Sequence, residues 1–338
     1  MTFRSNSIVI LTALTLVLGG CGVNNTGSDS PTESAFPSPS KASPSESSSP
    51  SPSQDQSPTI LNEFRQLASS NPSADKLVAS LKKGIGQVRQ EQADEMMRAL
   101  ESYYVKNLPE LEKKFDADNV QRKLSSLLWP IDEQQIDALT DDSFKQLLKT
   151  TIAGGYKLET SEGYFFPIVD YGKLLTYGDQ TTSTAMKAYL GVLALESDNA
   201  SAGDGGLIIS LDELEDRALA AESYVVTFPD TPERTKVEDR FVNYLSMYLI
   251  GLDNTPIFDY ETFHLLPEVK KQYEQMAADH GGTVIGQLTE QLLQIAAESK
   301  DALFVKDKNG EQKDIPAVKQ FRDQLEAKAR SLLAAGKK

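Results

Sequence analysis

Apolar positions recur at three- and four-residue spacing along most of this chain, the pattern of one face of an α-helix. A short amphipathic run covers 60–68. After Asn71-Pro72-Ser73 a longer one passes through Leu77, Leu81, Val88, Met96, Leu100, Tyr103 and Tyr104. Gly84 and Gly86 interrupt it, and Pro109 stops it or restarts it as a new first turn. Further helices are predicted over 120–128, closed by Trp129-Pro130, and over 132–139 and 142–152, the last ending at Gly154-Gly155. There the period drops to two. Residues 156–160 alternate, Ser161-Glu162-Gly163 carries a turn signal, and 164–169 is aromatic and β-branched, so a β-hairpin is predicted. Pro167 makes its second arm an edge strand.

Helical spacing resumes at Tyr171 and is clean over 183–195. The stretch 197–206 (SDNASAGDGG) is turn chemistry and reads as a flexible loop. Ser210 with Glu213 forms a capping-box signature ahead of Leu211, Leu214, Ala218, Ala221 and Val225 on one face. Phe228-Pro229 ends that helix, and Thr231-Pro232 opens the next, with proline at its first position. Val237, Phe241, Leu245 and Tyr248 follow, and Gly251 closes it. Three more helices are expected over 266–278, 283–299 and 315–333, the last with Val318, Phe321, Leu325, Ala329 and Leu332 as its stripe. The fold class is mostly α: a multi-helix domain with one small β-hairpin near 156–169. The helix–FPDTP–helix unit over 210–251 resembles the αα-hairpins of tetratricopeptide-like bacterial lipoproteins, but no second copy at a fixed period accompanies it.

The first residues follow another logic. Arg4 precedes an apolar run at 8–18 (IVILTALTLVL), too short to span a bilayer and laid out as a secretory signal. Ending in Leu18-Gly19-Gly20-Cys21, it resembles the lipobox of bacterial lipoproteins. That resemblance implies a signal peptide at 1–20, removal of it, and a diacylglyceryl group on the Cys21 thiol. The protein is then extracytoplasmic and held on the cell membrane by lipid. Two acyl chains suffice for stable attachment, at about 0.8 kcal/mol per buried methylene. Residues 21–58 are Ser/Pro-rich, with Phe36 almost the only bulky apolar side chain, and read as a disordered stalk. The folded domain is expected over 59–338, with a sub-boundary near 154.

Charge and rare residues narrow the chemistry. The whole chain carries −15. Setting aside Arg4 (+1) and the stalk, where Asp29, Glu33, Glu46 and Asp55 stand against Lys41 (−3), leaves −13 on the folded part. An acidic surface argues against nucleic-acid partners and favours cationic ones. Cys21 is the single cysteine, so the domain has no thiol for a disulfide, a nucleophile or a zinc site. With two histidines and no Gly-x-Ser-x-Gly or His-Glu-x-x-His, metal and Ser-His-Asp chemistry have little to stand on. No cofactor is indicated.

Three fragments, Ser80-Leu81-Lys82-Lys83, Ser197-Asp198-Asn199 and Lys149-Thr150-Thr151, echo penicillin-binding motifs, but the third lacks its glycine and precedes the second. A calcium loop over 198–212 would need carboxylates where Ser201, Gly203 and Gly205 stand. The remaining candidate ligand site is the hairpin. Glu162 and Asp170 flank an aromatic stretch, and Glu162, Tyr164, Phe166, Asp170 and Tyr171 are the residues a sugar or peptide would meet. Paired acids can also run glycoside hydrolysis. The leading expectation is a non-enzymatic envelope lipoprotein that binds or scaffolds a protein or cell-wall component. An envelope hydrolase acting through those carboxylates, or a transporter-associated solute receptor, is the alternative.

Overall fold

The computed structural model describes residues 56–336. The expected signal peptide at 1–20, the expected lipidation site Cys21 and the expected stalk up to residue 55 lie outside the described residues. The first helix, α1 (Ser57–Ser69), starts two residues ahead of the expected domain edge, with Pro58 in its first turn, where the missing N–H costs nothing. It buries Leu61 and Phe64. Then come α2 (Ala74–Gly84), a 3₁₀ turn at Ile85–Gln87 and α3 (Gln90–Phe115), so the break falls where the two glycines place it. Pro109 does not end α3. It lies on the exposed side of the helix, as does Val105, whose carbonyl the proline leaves unpaired and in reach of water.

Next, α4 (Asp118–Leu124) stops four residues short of the expected 128. Ser125 and Ser126 donate their hydroxyls to the Arg122 and Lys123 carbonyls, at 3.0 and 2.7 Å, and so compete with the helical ladder. Asp132 and Asp141 accept from the amides of Gln135 and Phe144 and cap α5 (Glu133–Ala138) and α6 (Asp142–Ala153). These elements enclose a small core of Phe115, Val120, Leu124, Ile136, Phe144, Leu148 and Phe165.

From α6 onward one unit recurs four times: helix, two-strand antiparallel hairpin, helix. Strands β1 (Tyr156–Ser161) and β2 (Tyr164–Val169) join α6 to α7 (Tyr171–Gly178). After α8 (Thr184–Asp198), β3 (Ala202–Gly203) and β4 (Gly206–Leu207) lead into α9 (Leu211–Thr227). Beyond α10 (Arg234–Ile250), β5 (Gly251–Leu252) and β6 (Thr255–Pro256) lead to α11 (Pro267–His280). Finally α12 (Val284–Glu298), β7 (Phe304–Lys306), β8 (Gln312–Asp314) and α13 (Pro316–Ala335) complete the series. The expected single hairpin is therefore the first of four among the described residues. Two-residue strands are too short to display a period, and only their turns show in the sequence.

The short hairpins also lean on one another. Asn254 donates its amide to the Gly205 carbonyl at 2.9 Å, and Leu207 donates its amide to the Thr255 hydroxyl at 3.0 Å. Arg217, 2% exposed, reaches the Asn199 carbonyl at 2.8 Å and the Glu196 carboxylate at 3.0 Å. The stretch 197–206 is thus pinned at its start and paired at its end rather than an open loop.

Consecutive helices α7/α8, α9/α10 and α11/α12 pack most closely on each other. The α9–α10 turn is the FPDTP segment. Thr231 donates to the Phe228 carbonyl at 2.9 Å and lies 3.0 Å from the Tyr224 hydroxyl. This draws Pro232 into the turn, so α10 begins at Arg234 and the proline does not open it. In α9 the cap is half of the expected box: Ser210 accepts from the Glu213 amide at 3.1 Å, while the Glu213 carboxylate turns to Arg217 at 2.5 Å. In α13, Leu333 rather than Leu332 completes the buried stripe.

The main core draws on residues from Leu61 to Leu333. At Gly154 the chain passes from α6 to β1 inside one compact unit, Gln54–Lys338, and both sides contribute to that core. The Gly154 carbonyl accepts from the buried Tyr104 hydroxyl at 2.8 Å. Gly155 follows at φ +80°, where a side chain would also strike that hydroxyl.

Candidate functional site

The hairpin residues do not converge. Glu162 occupies the β1–β2 turn at φ +52°, exposed, while Asp170 lies just beyond the opposite end of β2. Six residues of extended strand separate them by about 20 Å, against the roughly 5–10 Å a glycosidase pair needs. Asp170 is also engaged, since its carboxylate accepts from the Lys173 amide at 2.8 Å and caps α7. Tyr164 and Phe166 share one face of β2 with ring centroids 6.4 Å apart, and the Tyr164 hydroxyl bonds the carboxylate of Asp116, the residue just past α3. Tyr164 itself remains 43% exposed.

Tyr171 joins a different group. Its hydroxyl lies 3.3 Å from Glu101 Oε1, which also receives the Tyr189 hydroxyl and, at 2.5 Å, the Lys236 ammonium. One carboxylate oxygen of α3 thereby gathers α7, α8 and α10. Burial, then the Glu101 charge, push both tyrosine hydroxyls well above their usual range, so they stay protonated donors. Toward the N-terminus of α3, Arg98 pairs with Glu233 at 2.5 Å and Asp94 accepts from the Ser183 amide at 2.8 Å. This seam is saturated with partners and works as an internal clamp.

The open space lies elsewhere. A cleft of about 710 Å³ is bounded by Leu219 and Val226 of α9, the start of α12, and Leu332 and Ala335 of α13. Val226 is 50% exposed at its rim. A cleft of this size and apolar character is what a small ligand with an apolar body occupies. Glu222 of α9, 6% exposed, lines it. Both its oxygens accept backbone bonds, from Val284 at 2.6 Å and Ile285 at 3.1 Å, so a carboxylate of α9 caps the N-terminus of α12. Burial pushes the Glu222 carboxyl above its ordinary value, and the two amides and His280 pull only partly the other way. Ser223, His280, Thr283 and Gln287 are the other polar groups at the walls.

None of these residues stands out by motif. A signal was nonetheless present: Glu222 falls among Ala218, Ala221 and Val225, an acid embedded in an apolar helical stripe. A carboxylate in that position is buried and must find donors. Among the described residues, no group of three or more His, Cys, Asp or Glu side chains is placed to hold a metal ion, and no helix is long and apolar enough to cross a membrane. No family model, curated protein or solved structure matches the chain.

Proposed function

We propose that this chain is a lipid-anchored binding protein of the bacterial cell envelope and that the α9–α12–α13 cleft is its ligand site. The observation that supports this reading most is the pairing of an apolar cleft with a carboxylate already committed to two backbone amides. Such a group holds a wall in place and is poorly placed to carry a proton to and from a substrate. The hairpin carboxylates, about 20 Å apart, give the hydrolase alternative no constellation to act through. The anchor itself rests on the Leu18-Gly19-Gly20-Cys21 resemblance.

The test is a thermal-shift screen of the full chain carrying Cys21→Ser, against sugars, cell-wall fragments, short peptides and small amphiphiles. Saturation at a hundred times the dissociation constant adds about 2.7 kcal/mol of stability. The expected result is a hit whose shift disappears in Ser223→Trp, a replacement at an exposed position on the cleft wall. A hit that shifts Ser223→Trp equally, or a flat panel on a cooperatively melting chain, overturns the assignment of the cleft.

A further inference from the structure

Glu222 brings a negative charge into an apolar cleft, and the bonds it makes are all to neutral groups. The Val284 and Ile285 amides satisfy one lone pair on each oxygen, and each oxygen has another to offer. Among the described residues lining the cleft there is no lysine or arginine, and His280 is the one cationisable neighbour. A carboxylate so buried, with no ion-pair partner among the described lining residues, is at its most attractive to a cation that arrives with its own apolar cover.

An anion finds the opposite. The end of α12 would ordinarily receive one, yet its first amides are all taken: Thr283 by the His280 carbonyl at 2.9 Å, Val284 and Ile285 by Glu222, and Gly286 by the Thr283 hydroxyl at 3.1 Å. The negative charge of the chain works in the same direction.

We infer that the cleft binds a small amphiphilic amine, its ammonium on the Glu222 carboxylate and its apolar body along Leu219, Val226 and Leu332. This rests on the cleft being the ligand site and goes further by fixing the charge of the ligand. In the bound state the ammonium donates to the free lone pairs of Glu222, leaving the two helix-capping bonds intact. The apolar part displaces water from the α9 and α13 walls.

Calorimetric titration of the full chain carrying Cys21→Ser at neutral pH tests this with three probes of equal chain length: n-octylammonium, n-octanol and n-octanoate. Octylammonium is expected to bind at least ~tenfold more tightly than octanol, and octanoate more weakly than both, because charge-assisted hydrogen bonds are the strong ones and a second carboxylate is repelled by Glu222. In Glu222→Gln the preference for octylammonium over octanol falls to within about twofold. Equal binding of octylammonium and octanol to the unsubstituted cleft overturns the ammonium assignment while leaving the cleft as an apolar site. Failure of all three probes overturns both. The three-probe comparison needs no substitution at Glu222, so it decides the matter even where Glu222→Gln fails to fold.

Discussion

At the scale of single residues, the side chains that matter most are charges moved out of water. Glu222 has a carboxyl raised by burial, which makes stability depend on pH in a stated direction. A group whose folded value lies above its unfolded one stabilises fully below the unfolded value, about 4.5 for Glu, and loses that contribution as pH climbs through the raised folded value. The melting temperature of the wild-type chain, relative to Glu222→Gln, is therefore expected to fall as pH rises from about 4 toward neutrality. Parallel melts of the two proteins across that range check it, and a difference that grows with pH would reverse the account. Asp170, read as a ligand group, turned out to cap α7, whereas the cap at Ser210 was legible beforehand, because a cap acts on amides two or three positions away in sequence. Glu222 was not, since its partners are 62 and 63 positions distant. The hydrolytic pair failed for the complementary reason. Nearness of Glu162 and Asp170 in sequence becomes separation in space once the stretch between them is a strand.

At the scale of elements, helices with long apolar stripes were readable almost to their ends, as in α8, α10 and α12. Pro109 misled because a single lost bond can be absorbed inside a helix of 26 residues when the freed carbonyl, that of the exposed Val105, is open to water. The three later hairpins escaped because pairs of two or three residues gain their stability from neighbours rather than from alternation. The contact between the β3–β4 and β5–β6 hairpins shows this directly: the Thr255 hydroxyl satisfies the Leu207 amide. Thr255→Val keeps the shape and removes that acceptor, so it is expected to cost about 1 kcal/mol in denaturant unfolding. Hydrogen exchange should quicken at Leu207 and leave α9 and α10 unchanged; unaltered protection at Leu207 would deny the hairpin contact its role.

At the scale of the whole molecule, the chain combines a lipobox-like segment at 18–21 with a domain that has no cysteine of its own. If the lipobox resemblance holds, Cys21→Ser removes the anchor and nothing else. The expected outcome is transfer of the protein from the membrane fraction to the soluble fraction of the producing cells, with the thermal melt of the domain unchanged; persistence in the membrane fraction would mean another attachment. The wall of the cleft adds a consequence in time. Its floor comes from α9 and the start of α12, but its far side is α13, the last helix of the fold. A chain released N-terminus first can pair α7 with α8, α9 with α10 and α11 with α12 as each neighbour appears. Only when Leu332 and Ala335 dock does the cavity exist. The cleft then forms only when α13 docks, and a chain clipped ahead of α13 lacks that wall.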